Sequence, residues 1–241
     1  MTPLDDAELV RRSLAGFAEM LTIVGHSGEG SNAVIRRPDA IGARIASMRA
    51  NPWFDAVVVP AGSDPPVDDP LLPYCVWTLA PAMTGRVEDP DIATPCMALD
   101  LERPVPFEFD PVVMVTPTLT EVGLLNDRAY AAEPSLELLA ADIDDDRVAT
   151  YGVESEGRLV SVAMTLVLGD DLAIHYVATE SDHRGQGLAT RMLATVIEDA
   201  QNAGMRSATL QASPDGLSVY QRMGFQTVGL LLGFVRPTTA T

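Results

Sequence analysis

The clearest chemical pattern in the chain lies at residues 183–190, which read His-Arg-Gly-Gln-Gly-Leu-Ala-Thr. Gly185 and Gly187 carry no Cβ atom, so the backbone there can approach a bound ligand closely. An apolar, strand-like segment at 172–178 precedes the glycines, and apolar residues at helical spacing follow over 188–200. A strand, a glycine turn and a helix N-terminus bring free N–H groups and the positive end of the helix dipole together. The pattern predicts a site for a phosphate-bearing ligand, although the glycine spacing alone is equally typical of an ordinary tight turn.

The arginine at the start of the glycine segment makes the pattern more specific. Residues 184–189, Arg-x-x-Gly-x-Ala, resemble the acyl-CoA pyrophosphate loop of the GCN5-related N-acetyltransferase (GNAT) superfamily, whose pattern is Gln/Arg-x-x-Gly-x-Gly/Ala. Residues 177–179, Val-Ala-Thr, look like the fourth strand of that family, which leads into the loop. Residues 210–214 and then 219–225, which end in Tyr-x-x-x-Gly-Phe, resemble the second signature of the family. Two motifs in this order and at this separation are a fairly specific signal.

The resemblance implies acetyl-CoA as the co-substrate and assigns most of its contacts to main-chain groups. The backbone of Val177 and Thr179 would pair with the pantetheine amides, and the amides of 184–190 would cradle the pyrophosphate. Ser213 stands where the family often has a small polar residue near the pantetheine arm. The implied cofactor-binding residues are Val177, Ala178, Thr179, Arg184, Gly185, Gln186, Gly187, Leu188, Ala189, Thr190, Ser213 and Tyr220. The candidates to offset the charge of a polyanionic cofactor are Arg184, Arg191 and Arg222.

Two side chains are candidates for proton transfer. Tyr220 occupies the tyrosine position of the family, so the resemblance makes it the acid that protonates the departing thiolate; the alternative is a core tyrosine under a short helix. His175 is the candidate base, because its unperturbed pKa is ~6.5 and it shares a strand face with Asp171 and Val177. A structural histidine, with ordered water as the base, is the alternative to that role. A main-chain N–H near Val177 is expected to polarise the acetyl carbonyl and stabilise the oxyanion.

The resemblance implies an enzyme, an acetyl-CoA-dependent N-acetyltransferase. It would move an acetyl group to a primary amine by direct attack in a ternary complex. The acceptor is a small-molecule or peptide amine that no residue pattern identifies. Transfer to oxygen, or of a longer acyl group, fits the same loop, because the loop recognises CoA and not the acyl chain. The alternative from another class is a non-catalytic acyl-CoA-binding or sensing module, with the N-terminal half as its output surface.

Composition narrows the classes of partner. The 241 residues include 34 acidic and 16 basic residues, for a net charge of −18. Such a surface argues against nucleic acid and anionic membranes as partners, because both need clustered basic groups, and it is compatible with a cationic amine.

The acidic N-terminus does not resemble a signal peptide, and no apolar run reaches the ~20 residues that span a bilayer, so we expect a cytoplasmic protein. Cys75 and Cys96 lack metal-binding or disulfide spacing, so we expect no metal. We expect a monomer or a homodimer.

The predicted fold class is α/β in the broad sense (α+β), a GNAT-like mixed, mostly antiparallel sheet flanked by helices, preceded by a smaller α/β N-terminal domain. The resemblance is strong over 160–235, moderate over 112–160 and faint before that. Residues 104–111 hold Pro104, Pro106 and Pro111, and proline stiffens a chain and removes N–H donors. We therefore predict a linker there, between an N-terminal domain at 1–103 and a GNAT N-acetyltransferase domain at 112–241. The N-terminal domain is either a degenerate copy of the same fold or an unrelated α/β cap.

Local patterns add the elements of each half. The N-terminal half is expected to contain a helix over 5–23, a short helix from 37 to 48, and strands at 53–59, 74–80 and 96–101. The C-terminal half is expected to contain two helices within 118–141, a three-stranded meander over 148–177, and then the glycine loop and its helix. A strand at 207–212, a helix at 216–223 and a strand at 225–235 complete the prediction.

Overall fold

The computed structural model describes residues 4–27, 32–48, 50–105, 110, 112–130 and 135–237. The strands in chain order are β1 (Ala33–Arg37), β2 (Ala40–Arg44), β3 (Ala56–Val58), β4 (Cys75–Thr78), β5 (Val87–Asp100), β6 (Met114–Val115), β7 (Val148–Ser155), β8 (Arg158–Leu168), β9 (Asp171–Thr179), β10 (Ser207–Gln211) and β11 (Gln226–Val235). The helices are α1 (Asp6–His26), α2 (Leu119–Ala129), α3 (Leu136–Ala140), α4 (Leu188–Asn202) and α5 (Pro214–Arg222), with 3-10 turns at Ala46–Met48 and Ser181–His183.

All of these strands belong to one 11-stranded sheet, in the order β1-β2-β3-β4-β11-β5-β10-β9-β8-β7-β6. Neighbouring strands run antiparallel except in two parallel pairs, β3–β4 and β9–β10. Helices lie against the sheet. The predicted mixed, mostly antiparallel sheet flanked by helices is therefore confirmed.

The two halves of the chain interlock in the middle of this sheet. β5, from the N-terminal half, lies between β10 and β11, and its Met97 stands opposite Leu210 on one side and Thr227 on the other. β11, the last strand, lies against β4 of the N-terminal half. The division of the chain at 104–111 stays a prediction, and residues 106–109 and 111 of the predicted linker lie outside the described residues. The N-terminal half nevertheless shares its sheet with the C-terminal half.

The helix α1 connects both halves on one face of the sheet. It begins after Asp5, whose Oδ1 accepts a hydrogen bond from the Glu8 N–H at 2.8 Å and so satisfies a free donor of the first turn. The helix contacts strands of both halves, among them β2, β3, β9 and β10. A Cβ atom on Gly16 would lie 2.6 Å from the Cβ atom of Ala173. The missing side chain therefore allows α1 to lie directly on β9.

The strand β9 is packed from both faces over most of its length. On one face, α4 buries Met192, Leu193, Val196 and Ile197 against Leu172, Ile174 and Leu210. On the other face, the residues of α2 and α3 pack with Ala173 and with Val162 and Met164 of β8. Full burial of such a side chain contributes roughly 1.5–3 kcal/mol. These two layers hold the first part of β9 in place.

The prediction of a short helix from 37 to 48 is wrong. Residues 33–44 form the antiparallel hairpin β1–β2, in which Ala33 stands opposite Arg44, and helical turns are confined to Ala46–Met48. The reason lies in Pro38 and Asp39, which occupy the two-residue turn of the hairpin. Proline fixes φ for a turn and aspartate is a common turn residue, so this pair starts a chain reversal and not a helix.

Candidate functional site

The strand β9 carries a β-bulge near its end. Two of its residues, Tyr176 and Val177, stand opposite the single residue Ala163 of β8. Tyr176 has a left-handed φ of 50°, a conformation that costs a bulky residue on the order of 1–3 kcal/mol and occurs mostly at functional sites. A bulge interrupts the regular ladder and re-aims the groups beside it. The main chain around Val177 is therefore the part of β9 that is free to point at a ligand.

The strands β9 and β10 separate at the same level. Their parallel ladder ends at Ile174 and Leu210. Beyond that point β10 continues against β5, where the Ala212 N–H donates to the Pro95 carbonyl at 2.9 Å. β9 remains paired with β8 as far as Thr179. The separation leaves a gap between two strands, and main-chain groups at such an opening are suited to an extended ligand that pairs like an added strand.

The glycine segment lies directly after β9. Gly185 and Gly187 have left-handed φ values of 74° and 73°, and a Cβ atom on either residue would meet no atom within 4 Å. The helix α4 begins at Leu188 without a side-chain cap. Within the described part of the chain, the N–H groups of 185–190 donate to no protein acceptor. This exposed helix N-terminus thus combines open space, unpaired donors and the positive helix dipole, which is what an anion needs.

The side chain of Arg184 connects this loop to its neighbours. Its Nε donates to the Thr179 carbonyl at 3.1 Å, and its Nη2 donates to the Ala129 carbonyl at 2.6 Å. The loop is therefore tied both to the end of β9 and to the end of α2. The guanidinium that the sequence offered as a partner for cofactor charge already has a positioning role.

The last turn of α2 makes two further contacts with β9 and its continuation. Arg128 pairs with Glu180, Nη2 to Oε1, at 2.8 Å. The hydroxyl of Tyr130 donates to the Val177 carbonyl at 3.2 Å, while the residue as a whole is 51% exposed. No sequence pattern singled out Tyr130, because it is simply the residue after a helical run.

Tyr220 lies on α5 beside the gap. It is buried, and its ring packs against that of Phe225 with 5.9 Å between centroids. Burial raises the pKa of Tyr220 well above its ordinary value of 10, and the nearby phenol of Tyr130 raises it further. Tyr220 therefore keeps its proton at any physiological pH and is able to act as an acid but not as a base. Tyr130 lies close both to this phenol and to Val177.

His175 lies on β9 just before the bulge, and it is only 9% exposed. Its Nε2 atom has no hydrogen-bond partner among the described residues. Burial lowers the pKa of His175 from 6.5 to about 4, because the charged ring is disfavoured away from water. The ring is neutral at pH 7, and with so low a pKa it is a weak proton acceptor.

The other predicted site residues lie on β9, α4 and α5 or in the segments next to these elements. Ser213 caps α5, since its Oγ accepts a hydrogen bond from the Gly216 N–H at 3.2 Å. Arg191 pairs with Asp110, Nε to Oδ2, at 2.9 Å, and Arg222 is exposed on α5. Ala178 and Thr179 end β9, Gln186 lies in the loop before α4, and α4 begins with Leu188, Ala189 and Thr190.

The described residues also bear on two other classes of site. They contain no group of three or more His, Cys, Asp or Glu side chains placed to hold a metal ion. None of the described helices is long and apolar enough to cross a membrane. Cys75 and Cys96 are buried and unpaired with each other, and burial raises the pKa of Cys96 to about 11.

Residues 120–225 match the model of the acetyltransferase (GNAT) family. N-acetyltransferase 8F1 of Rattus norvegicus is 29% identical over 126 residues, which are 44% of this chain and 57% of that protein. The [ribosomal protein bS18]-alanine N-acetyltransferase of Escherichia coli K12 is 23% identical over 118 residues, 48% of this chain and 78% of that protein. The chain thus spans little more than half the length of the rat relative.

Solved structures resemble nearly the whole chain. A GCN5-related N-acetyltransferase from Kribbella flavida superposes with a TM-score of 0.61 at 15% identity, over 96% of this chain and 95% of its own. A putative GNAT acetyltransferase from Novosphingobium aromaticivorans gives a TM-score of 0.55 at 19% identity, over 95% and 97%. At these identities the likeness concerns the fold. It includes the strands of the N-terminal half, which the family model does not match.

Proposed function

We propose, from the premise that residues 120–225 are a domain of the acetyltransferase (GNAT) family, that the protein is an acetyl-CoA-dependent N-acetyltransferase. It would move an acetyl group to a primary amine by direct attack in a ternary complex. One observation carries the proposal: a parallel strand pair separates beside a bulge and leads into an uncapped, glycine-bearing helix N-terminus. These parts suit an extended, phosphate-bearing ligand, and they lie next to a phenol that keeps its proton.

The residues fit the acetyl-CoA that the family implies. The open space at Gly185 and Gly187, with unpaired N–H groups at the start of α4, suits a pyrophosphate. The main-chain groups of Val177 and Thr179 are the proposed partners of the pantetheine amides, because they lie beyond the point where β9 and β10 separate. Acetyl-CoA supplies an activated acetyl group, held as a thioester. N–H groups and the helix dipole would contact the phosphates directly, while the guanidinium of Arg184, held by two carbonyls, would add its positive charge from a fixed position.

Tyr220 is the proposed acid. As the amine nitrogen bonds to the carbonyl carbon, the bond from carbon to sulfur breaks, and the Tyr220 hydroxyl gives its proton to the departing sulfur. Its raised pKa keeps the phenol protonated at neutral pH, so a proton is available when negative charge develops on the departing sulfur. The main-chain N–H of Val177 is the proposed donor to the oxygen that gains negative charge. Water afterwards returns a proton to the phenol.

His175 is the proposed acceptor for the proton that the amine loses. The unpartnered Nε2 favours this role, while the pKa of about 4 limits it, because a base works best with a pKa near the working pH. We therefore expect His175 to make only a small contribution to the rate. Ordered water in the gap is the other route for this proton.

The acceptor is proposed to be a small-molecule or peptide amine. The net charge of −18 favours a cationic molecule over a nucleic acid or an anionic membrane. A cytoplasmic location, a monomeric or homodimeric state and the absence of a metal belong to the same proposal.

A non-catalytic acyl-CoA-binding or sensing module is the second candidate. The low pKa of His175 favours it, since it leaves the gap without a strong base. The two candidates share acetyl-CoA binding and differ in turnover. A panel of primary amines, followed by thiol release, separates them.

The test is a Tyr220→Phe variant with Tyr74→Phe as its control. Tyr74 is a partly buried tyrosine of the N-terminal half, packed against a different part of the core. On an amine that the wild type acetylates, Tyr220→Phe should lower kcat about 100-fold, the usual contribution of a general acid. Acetyl-CoA affinity should change little, and Tyr74→Phe should match the wild type. Unchanged turnover in Tyr220→Phe would exclude the acid role, and binding without turnover on any amine would favour the sensing module.

A further inference from the structure

The end of α2 is fastened to the bulged strand at three consecutive residues. Arg128 pairs with Glu180, the Ala129 carbonyl accepts from Arg184, and the Tyr130 hydroxyl donates to the Val177 carbonyl. The first two contacts involve the chain beyond β9. Only the third reaches the bulge itself, where Tyr176 holds a strained φ of 50°.

A strained bulge keeps its shape only when its surroundings fix it. β8 fixes one side of β9, but β10 has already separated from the other side at Ile174. The Tyr130 hydroxyl therefore supplies a hydrogen bond to the part of β9 that has lost its neighbouring strand. That bond holds the peptide plane between Val177 and Ala178, directly after the N–H that the proposed function uses.

We infer that Tyr130 is a positioning residue for the transfer reaction: its hydroxyl holds the Val177 carbonyl, so that the Val177 N–H stays aimed at the reacting oxygen. The inference rests on the proposed function, since it concerns the same strand and the same N–H. A carbonyl oxygen has two lone pairs, so Tyr130 and a pantetheine amide are able to share the Val177 oxygen. The half-exposed ring, near the phenol of Tyr220, places the hydroxyl beside the gap and not in the core.

The role predicts a separation of binding from catalysis. The direction of the Val177 N–H matters most when negative charge develops on the reacting oxygen. A donor that already points at that oxygen needs no reorganisation during the reaction. Loss of the Tyr130 hydroxyl should therefore lower kcat and leave the affinity for acetyl-CoA nearly unchanged. If the side chain merely stabilised the fold, its loss would lower the melting temperature instead. If the side chain blocked the gap, its loss would tighten the binding of acetyl-CoA.

The experiment compares wild type, Tyr130→Phe and Tyr74→Phe by calorimetric titration with acetyl-CoA, by turnover and by melting temperature. Tyr130→Phe should turn over about 10-fold more slowly, the effect of one hydrogen bond of ordinary strength. Its acetyl-CoA Kd should lie within about 2-fold of wild type, and its melting temperature should match that of Tyr74→Phe. Hydrogen exchange of the free protein should be faster in Tyr130→Phe over 174–179 and unchanged over 56–58.

Each other outcome overturns the inference. Equal turnover in wild type and Tyr130→Phe would show that the hydroxyl does not position the strand, while the proposed function would stand. Tighter acetyl-CoA binding in Tyr130→Phe would show that the ring blocks the gap. Wild type that neither binds acetyl-CoA nor acetylates any amine would end the proposed function and the inference together.

Discussion

The sheet contains two parallel strand pairs, one in each half of the chain, and only one of them opens. In the N-terminal pair β3–β4, pairing continues past both ends: the Cys75 N–H donates to the Asp55 carbonyl at 3.1 Å, and the Val59 N–H donates to the Trp77 carbonyl at 2.8 Å. In the C-terminal pair β9–β10, the ladder stops at Ile174 while the strand runs on. A closed pair leaves no main-chain groups for a ligand, whereas an opened pair does.

The connections between the paired strands differ as well. β9 leads to β10 through the glycine loop and α4, which provide a helix N-terminus. β3 leads to β4 through turns and irregular chain at 59–74, with no helix. Proline lacks an N–H donor, and this connection contains Pro60, Pro65, Pro66, Pro70 and Pro73. The same strand arrangement is thus not sufficient for an anion site, which also needs an uncapped helix end and unpaired donors.

The positions of the two parallel pairs in the sheet bear on the origin of the N-terminal half. Each parallel pair is followed in the sheet by an antiparallel strand from the other half, β11 beside β4 and β5 beside β10. This arrangement is what two copies of one fold would give if they exchanged their last strands. That the N-terminal half is a degenerate copy stays a prediction, which the sheet order supports.

The largest expected difference between the two halves concerns acetyl-CoA binding. A Gly187→Glu variant places a carboxylate at the N-terminus of α4, where the phosphates are expected, and should weaken binding at least about 100-fold. Gly62→Glu is a matched control, because Gly62 has a similar φ of 81°, also faces open space and lies in the connection from β3 to β4. Calorimetric titration should give wild-type affinity for the control. Equal losses in both variants would mean that backbone strain, and not the site, is being measured.

The next difference concerns two buried carboxylates, each at the start of the first strand of a parallel pair. Asp55 accepts from the main-chain N–H groups of Ile45 and Tyr74 at 3.1 and 3.0 Å, whereas Asp171 accepts from the hydroxyls of Ser207 and Thr209. An Asn side chain has one acceptor oxygen, so Asp55→Asn leaves a buried N–H unsatisfied and should cost roughly 2–3 kcal/mol.

Hydroxyls are able to rotate and accept from an amide. Asp171→Asn should therefore lie within about 1 kcal/mol of wild type at pH 7. Urea unfolding measures both free energies. A larger loss in Asp171→Asn than in Asp55→Asn would contradict this account of the two carboxylates.

The smallest expected effects are those of pH on stability, and two groups of β9 should oppose each other. Burial raises the pKa of Asp171 from 3.8 to about 6, so its contribution to stability is present at low pH and is lost as the pH rises through 6. Burial lowers the pKa of His175 from 6.5 to about 4, so its contribution is present above 6.5 and is lost as the pH falls toward 4.

Each group should change the free energy of unfolding by about 1–2 kcal/mol between pH 7 and pH 5. Acidification should accordingly destabilise Asp171→Asn more than wild type. It should destabilise His175→Leu less than wild type, or even stabilise it. The change in the free energy of unfolding from pH 7 to pH 5 is compared among the three proteins. The contributions of the other carboxylates, which all three proteins share, then cancel. Parallel curves for all three would show that neither pKa is shifted.

Local sequence patterns predicted the C-terminal half well because its elements have regular periodicity. The meander β7–β9, the helix α4 and the order strand, glycine loop, helix are all present. The start of α2 is also set locally, since the Thr118 hydroxyl accepts a hydrogen bond from the Glu121 N–H at 3.2 Å. The roles of the loop residues in binding stay predictions, although the structure brings them together beside the gap.

The remaining features depend on contacts between distant segments, which local patterns do not carry. The position of β5 between β10 and β11 follows from packing across the two halves. The bulge at Tyr176 and Val177 depends on the register with β8. The hydrogen bonds of Arg184 and Tyr130 depend on how the end of α2 packs against β9. Each of these features decides how the site is held.

The central claim is that the opened pair β9–β10 holds acetyl-CoA and that the closed pair β3–β4 does not. Hydrogen–deuterium exchange, read by mass spectrometry with and without saturating acetyl-CoA, tests it most directly. The account predicts slower exchange in peptides that cover 176–190 and no change in those that cover 56–63 and 75–78. Protection of the N-terminal peptides, or bound acetyl-CoA without protection of 176–190, would contradict it.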